Sequence, residues 1–465
     1  MTDALPVPFV WTGGSGPSAV TVDGEVPAWL RGDLVRTAPA IFRQGDWHAD
    51  HWFDGLSLLY GFGVGDGGVT FRQQLLESDA WREAVAGRMH RAMFDTRMQR
   101  PWWKRVFQPI AKGTDNANVN VVPWRDGWLA MTEAPTQHLI DPVTLASRGH
   151  ATHGKSPDFD VITAHPQADL TRRAMVNVGS LFSRKSSLVV FRETEDGARV
   201  EEGRVTLDHA PYVHHFGLSD RFVTLIEHPL HINPLKFLFT DRAVADCFMW
   251  RPERGTRLWA VSRRDGTSRA WEAPTNFVFH VVNQHEVGDS VVLDVVEYPD
   301  AEIVSLLKTK TLAVAQPELG AAFVRYVLEP GKKTAGREVL SQTRFELPAI
   351  NYRGHHGQAY RYAWGVSAPR GSVDRTSTLV KVDTQTGDAV KFEDAEWLNG
   401  EGVFVPRPGA EREDDGVVLS VGVHRDGGRT SLSVLDGATL QRLARAEIQL
   451  SLPLGFHGNW AARPT

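Results

Sequence analysis

Short apolar runs, alternating with polar positions and closed by Gly, Asp, Asn or Pro, recur along nearly the whole chain. The stretches "LLYGFGVGDGGVTFRQQLL" (58–76), "DSVVLDVVEY" (289–298) and "GVVLSVGVHRDGGRTSLSVLDG" (416–437) carry the pattern most clearly. Branched and aromatic side chains suit a pleated, half-buried surface, and Gly or Asp allows a tight reversal. These stretches therefore read as antiparallel strands joined by turns, and the chain as all-β. Helical periodicity is scarce. It is best developed in "SDAWREAVAGRMHRAMF" (78–94) and "AEIVSLLKTKTLAVA" (301–315), both expected to be helices inserted between strands.

A weak repeat overlies the strands. "LIDPVTL" (139–145), "LVKVDTQTG" (379–387) and "SVLDGATL" (433–440) each give an apolar strand end, then Asp, two residues and Thr. The Asp side chain can close the turn before the next strand begins. Repeated hairpins of this kind suit the radial repetition of a β-propeller, although three ordinary Asp turns in any β protein would look the same. No Pro- or Ser-rich linker divides the chain, so residues 1–465 are expected to form one domain.

Composition narrows the function more than the fold. Charged residues make up 23 %, hydrophobic ones 42 %, and the formal net charge is −5, the profile of a globular protein with no basic surplus for nucleic acid. The single cysteine, Cys247, excludes an internal disulfide framework and a Cys-rich metal site, and it suits a reducing, cytoplasmic setting. "MTDALPVPFVWTGG" lacks the basic and apolar segments of a signal peptide, and no apolar stretch is long enough to span a bilayer. "WTGGSGPS" lacks the flanking strand and helix of a phosphate loop.

Any metal must then be held by His or carboxylates. No His pair has zincin spacing and no Cys/His finger is present. Four of the 18 histidines do sit in apolar, strand-like stretches: His165 in "DVITAHPQ", His214 in "APYVHHFGL", His280 in "TNFVFHVVNQHE" and His457 in "LPLGFHGNW". Their separations resemble one to three propeller blades. Spacing alone leaves two readings open, four structural histidines or four that converge on a central axis. His355 and His356 in "GHHGQ" are adjacent, and neighbours on a strand point to opposite faces, so a metal shared between them is not expected.

The blocks "HWFDGLSLL" (51–59), "TDNANVNV" (114–121), "TAHP" (163–166), "YVHHFGLSDRFVTLIEHPLHINPLKFL" (212–238), "FVFHVVNQHE" (277–286), "FELPAINYRG" (345–354), "VFVPRPGAEREDDGVVLSV" (403–421) and "GFHG" (455–458) resemble, in order, those of the carotenoid cleavage oxygenases. "TDNANVNV", "YVHHFGL" and "INPLKFL" look more like the animal-type branch, which includes central β-carotene cleavage enzymes and the retinal pigment epithelium isomerohydrolase. The resemblance implies a seven-bladed β-propeller under a dome of loops and short helices, with one Fe(2+) on the axis. It implies His165, His214, His280 and His457 as ligands, and Glu133 in "MTEAP", Glu346 in "RFELP" and Glu401 in "NGEGVF" as carboxylates behind them. It further implies that Thr132 crowds an open metal position, while His215, His285, His51 and Asp54 are structural. Neutral imidazoles suit iron, four of them leave two octahedral positions open, and carboxylates accepting the other ring N–H would fix each tautomer.

The expected activity is cleavage of one alkene bond of a carotenoid or apocarotenoid by O2, with central cleavage of β-carotene to retinal favoured by the animal-type blocks. Stilbene cleavage, isomerohydrolase chemistry on a retinyl ester, and a non-catalytic propeller binding a partner or lipid are the alternatives. A lipid-dwelling substrate calls for an apolar tunnel whose mouth meets a membrane. "RPWWKRVFQPIAKG" (100–113) mixes Trp102, Trp103, Phe107 and Ile110 with Arg100, Lys104, Arg105 and Lys112, as an interfacial segment does. Leu235, Phe237, Leu238 and Phe239 in "NPLKFLFTDRAVADCFMW" (233–250) offer a second apolar patch, equally compatible with inward packing.

Overall fold

The computed structural model describes residues 5–14, 16–65, 68–107, 112–233, 235–236, 240–314, 320–367 and 377–463. Strands dominate, as the alternation requires, and they pair antiparallel in meanders of consecutive elements. Asn120–Trp124, Gly127–Met131, His138–Ile140 and Ser147–His150 form one such sheet. Its neighbours in sequence repeat the design.

Burial varies systematically across a sheet. Leu56–Gly65 is buried at every position but its last, so apolar side chains face both ways into the packing between sheets. Arg199–Leu207, at the end of its sheet, alternates buried and exposed positions from Gly203 to Leu207, as a strand with one wet face should.

Two pairings tie the chain's beginning to its end. Thr21–Gly24 lies beside Arg442–Ile448, with Thr21 opposite Glu447, and Gly458–Ala462 lies beside Gly32–Ile41, with Gly458 opposite Arg36. The sheets are thereby closed on one another, and His457 is held at the point of closure by backbone bonds to Val119 and Thr37.

The Asp turns form as expected. Asp141 Oδ1 accepts the N–H groups of Val143 and Thr144 and the Thr144 hydroxyl; Asp436 does the same with Ala438 and Thr439, and Asp383 accepts Gln385 N–H. In each turn the fourth residue after Asp is left-handed: Leu145 at φ 60°, Gly387 at 78° and Leu440 at 59°. Two leucines accept that strain because their side chains are fully buried.

The helices are shorter than the periodicity suggests. From 78–94 only Asp79–Val85 is helical; Ser78 caps it through Trp81 N–H, and Gly87 at φ 68° ends it. The remainder is irregular, its backbone held by side chains: Glu83 accepts His90 N–H, and Asp54 accepts those of Phe94, Asp95 and Thr96. In 301–315, of which Ala315 lies outside the described residues, two pieces replace one helix, Glu302–Leu306 and Thr309–Leu312. Between them Leu307 O accepts Trp52 N–H and Thr309 N–H goes to Asp50 O, so tertiary backbone bonds displace helical ones. His355 is likewise on a short helix, Tyr352–His355, and not on a strand as supposed. His356 stacks on Tyr352 with centroids 4.0 Å apart, and His355 donates to Ala359 O, so the two are engaged separately.

Candidate metal centre

His165, His214, His280 and His457, from four remote parts of the chain, meet in one buried cluster whose donor nitrogens all lie within 4.8 Å of one another. The Nε2 atoms of His165 and His214 are 3.0 Å apart, and those of His280 and His457 3.1 Å. In three of the four rings the other nitrogen points away, toward a carboxylate. His214 Nδ1 is 2.6 Å from Glu133 Oε1, His280 Nδ1 is 2.5 Å from Glu346 Oε2, and His457 Nδ1 is 2.7 Å from Glu401 Oε1. A carboxylate at that position fixes the Nδ1–H tautomer, which leaves the Nε2 lone pair directed inward.

Local backbone irregularities aim these side chains. Along Phe277–Val287 the register slips between Val278 and Val281, so Phe279 and His280 occupy a bulge. Trp397–Pro406 slips between Asn399 and Gly402, around Glu401, and Gly336–Ala349 slips just after Glu346, where Leu347 has φ 51°. A bulge inserts one residue and re-aims its side chain relative to the pleat. Glycines frame His457 for another reason. A Cβ on Gly458 would lie 2.3 Å from Arg36 Cγ, and one on Gly455 would lie 2.2 Å from Thr37 O.

Two side chains that sequence reading missed complete the cluster. Arg36, 1 % exposed, donates to Glu401 Oε2 at 2.9 Å, to Phe456 O at 3.1 Å and to the Tyr60 hydroxyl at 3.2 Å. Tyr212 donates its hydroxyl to Glu133, at 3.0 and 2.9 Å from the two oxygens. Tyr212 stands two residues before His214, on the same side of an extended segment, which is the one signal that could have revealed it. Nothing local marks Arg36.

Electrostatics follow from this packing. Burial pushes the Glu401 carboxyl up, but His457, Arg36 and the Gly458 N–H outweigh it and hold the group below its ordinary range. Burial likewise raises Glu346, and His280 with the Leu347 N–H brings it below normal. Burial and the surrounding imidazoles draw His165 and His215 well below the usual histidine range, so both rings are neutral. His215 stacks on His165 at 4.5 Å and accepts Val281 N–H through Nδ1; it backs the cluster without joining it. His285 is buried on the same strand as His280, opposite Val292. His51 bonds Val304 O at 2.8 Å, and Asp54 holds the 94–96 backbone.

Four convergent lone pairs repel one another unless a cation lies between them. Three carboxylates and one guanidinium give the cluster two negative charges in excess, which a divalent ion would neutralise. The residues therefore fit a divalent metal.

One side of the cluster opens into an apolar cavity lined by Trp52, Phe53, Phe94, Val119, Ile232, Phe279, Tyr298, Ile303, Leu307 and Phe456. His214, His280 and His457 form its floor, with Thr132 and Glu133 beside them. His165, His280 and His457 also line a second, more polar cavity on the other side, with Gln167, Asn283 and Arg353.

Of the expected membrane contacts, Trp102, Phe107 and Leu235 are 69 %, 78 % and 70 % exposed and Trp103 is 47 % exposed. Ile110, Phe237, Leu238 and Phe239 lie outside the described residues, as do the side chains of Lys104 and Arg105. The flanks of the two segments are joined: Arg100 Nε is 2.5 Å from Asp241 Oδ1, and Val244 and Ala245 N–H bond Met93 and Phe94 O. No helix among the described residues is long and apolar enough to cross a membrane.

An all-β chain whose four histidines, each from a distant segment, converge beside an apolar cavity has the donor set of a metal-binding protein with an apolar ligand. The chain is a member of the retinal pigment epithelial membrane protein (RPE65) family, the carotenoid oxygenases, whose profile matches residues 11–462. It is 29 % identical to carotenoid isomerooxygenase of Galleria mellonella, over 97 % of this chain and 94 % of that protein. It is 28 % identical to β,β-carotene 15,15'-dioxygenase of Rattus norvegicus, over 95 % of this chain and 88 % of that one. The crystal structure of cobalt-substituted Synechocystis apocarotenoid oxygenase, a β-propeller, superimposes with a TM-score of 0.84 at 24 % identity, covering 97 % of this chain and 98 % of that one.

Proposed function

We propose that the protein is an Fe(II)-dependent oxygenase that splits one alkene bond of a carotenoid or apocarotenoid with O2, each alkene carbon becoming a carbonyl. The observation that carries the proposal is the set of four inward Nε2 lone pairs, three of them fixed by carboxylates, at the floor of an apolar cavity. Spacings of 3.0 and 3.1 Å suit neighbouring ligands at the roughly 2.1 Å bonds of an octahedral site, where four nitrogens leave two positions open. Bound there by His165, His214, His280 and His457, one iron per chain would supply the redox chemistry that lets O2 react with a closed-shell polyene.

The chain's own residues do the rest. Glu133, Glu346 and Glu401 orient three imidazoles, Tyr212 orients Glu133, and Arg36 anchors Glu401. Phe53, Phe279 and Phe456 exclude water and grip the polyene, so the double bond over the histidines is chosen by how far the substrate enters. Thr132, beside Glu133 on the cavity wall, narrows the space next to the metal. The strand order fits seven blades when the long strand Gly336–Ala349 is divided between two of them, one pairing it with Ala321–Leu328 and the other with Tyr362–Ser367.

The animal-type blocks and the rat relative's named reaction favour central cleavage of β-carotene to retinal. Anaerobic Fe(II) reconstitution, then incubation with β-carotene, apocarotenals and resveratrol under labelled dioxygen, tests the assignment. Labelled retinal from the carotenoid is expected. Cleavage of resveratrol alone would make the enzyme a stilbene oxygenase, and absence of bound iron would remove the oxygenase reading.

The exposed Trp102, Trp103 and Phe107 are proposed to seat the cavity mouth on a lipid surface, since the segments beside them contribute Met93, Phe94 and Val244 to the cavity wall. Replacing all three by Ser is expected to weaken co-sedimentation with liposomes by roughly tenfold or more, with iron content unchanged. Undiminished binding would place the membrane contact elsewhere.

A further inference from the structure

A second group of metal-type donors lies on the outside of the sheet that contains Gly127–Met131, away from the axial histidines. Asp115, His138 and His150 offer one ligand atom each, all within 4.8 Å of one another. His138 on His138–Ile140 and His150 on Ser147–His150 face each other as direct cross-strand partners. Their rings sit edge to face, with centroids 4.8 Å apart. Asp115 enters from the loop below and is fully buried.

The donors are prepared for an ion. Asp115 accepts Ala80 N–H on Oδ1 and Asp79 N–H on Oδ2, both at 2.9 Å, which fixes the carboxylate and still leaves Oδ2 a lone pair toward the imidazoles. His138 is 3 % exposed; its Nδ1 is engaged by the Ser147 hydroxyl at 3.1 Å, and its Nε2 is buried without a hydrogen-bond partner. That orphaned nitrogen points at Asp115 Oδ2, 3.5 Å away and beyond good hydrogen-bond reach. His150 Nε2 is 3.3 Å from the same oxygen. Ligands at about 2.1 Å from a tetrahedral ion are separated by about 3.4 Å, so both distances are those of ligands around one zinc. The side chain of His150 is 48 % exposed, which leaves the fourth position to water. Arg91 Nε lies 3.8 Å from Asp115 Oδ1, and its charge is already met by Asp79 and Glu83.

We propose that Asp115, His138 and His150 form a Zn2+ site, separate from the axial centre, that clamps the 113–118 loop to the outer strands. The loop matters because its other side chains face the cavity: Thr114 and Asn116 line the wall, and Asn116 is pinned to Ser57 N–H and Gly55 O. Zinc there stiffens one wall of the substrate cavity and is not needed for the reaction itself. The inference is independent of the oxygenase assignment.

The test uses iron-loaded protein incubated with a slight excess of zinc chloride, desalted, and analysed for both metals and for thermal midpoint. Wild type is expected to keep one zinc beside its iron and to unfold a few degrees higher. His150→Ala removes a half-exposed ring and should fold normally, keep its iron and basal activity, retain less than a tenth of the zinc, and lose the thermal shift; His150→Cys should recover zinc. The same count in His457→Ala, with the axial site disabled, isolates the clamp. No zinc retained by wild type, equal zinc in His150→Ala, or zinc gained only as iron is lost would each overturn the proposal.

Discussion

His457→Ala is expected to purify with its strand content intact and without its metal. The ring supplies one of four converging nitrogens, and its Nδ1, 2.7 Å from Glu401, is the link between the histidine cluster and the Arg36 network. Disrupting only a carboxylate behind a ligand costs metal affinity about 10–100-fold, so deletion of a proposed ligand should cost at least the upper end of that range. Glu401→Gln is the graded control. It keeps the shape and removes the charge that fixes the imidazole, and it should bind metal weakly. Metal analysis after anaerobic reconstitution, paired with turnover of β-carotene, reads both effects. His457→Ala with full metal and full activity would show that the four-histidine cluster is not the working centre.

Arg36→Met should be the most destabilising single change near the site. The side chain fills a space with 1 % exposure, and its three donors reach Glu401, Phe456 O and the Tyr60 hydroxyl. Methionine can occupy the volume but leaves the Glu401 carboxylate buried without its cation. Breaking a buried pair from one side costs about 3–5 kcal/mol. Denaturant titration of the metal-free proteins measures it, because the metal's own contribution to stability is then absent. The pH dependence supplies a second readout. Glu401 is held below its ordinary value of 4.5, so in wild type its contribution to stability is fully present above that value and is lost only as pH falls through the lowered folded-state pKa. Without Arg36 the folded-state pKa moves back up toward that value, so the gap narrows and less stability is lost on acidification than in wild type. An unchanged denaturation midpoint in Arg36→Met would mean that the pair contributes nothing net.

The candidate histidines stand out in the chain because they lie in unusual local company, although only the resemblance chose between structural and converging roles. Histidines in "DVITAHPQ" and "LPLGFHGNW" interrupt apolar strand ends, where a solvated imidazole has no reason to be, and the structure brings those two together with His214 and His280. The three glutamates were legible only through resemblance, since a Glu in a strand looks the same whether it faces water or a ring nitrogen. Arg36 was invisible for the same reason, and its place in "LVRTAP" reads as an ordinary polar position of a strand. The helices failed differently. Periodicity in 78–94 and 301–315 reflects side chains that are indeed buried, but the backbone there bonds to Asp54, Asp50 and Trp52 across the fold instead of to itself.

The sequence by itself determined the all-β class, the positions of the Asp turns and the kinds of donor available, because alternation, turn chemistry and ligand type are properties of neighbouring residues. Only the tertiary structure decided which donors meet. Glu401 and Arg36 are 365 residues apart, and they touch because the strand after His457 returns to pair with the strand that carries Arg36. Bulges at His280, Glu401 and Glu346 then set where each side chain points. Register and closure arise from pairing between distant strands, so their consequences are written in no local stretch of the chain.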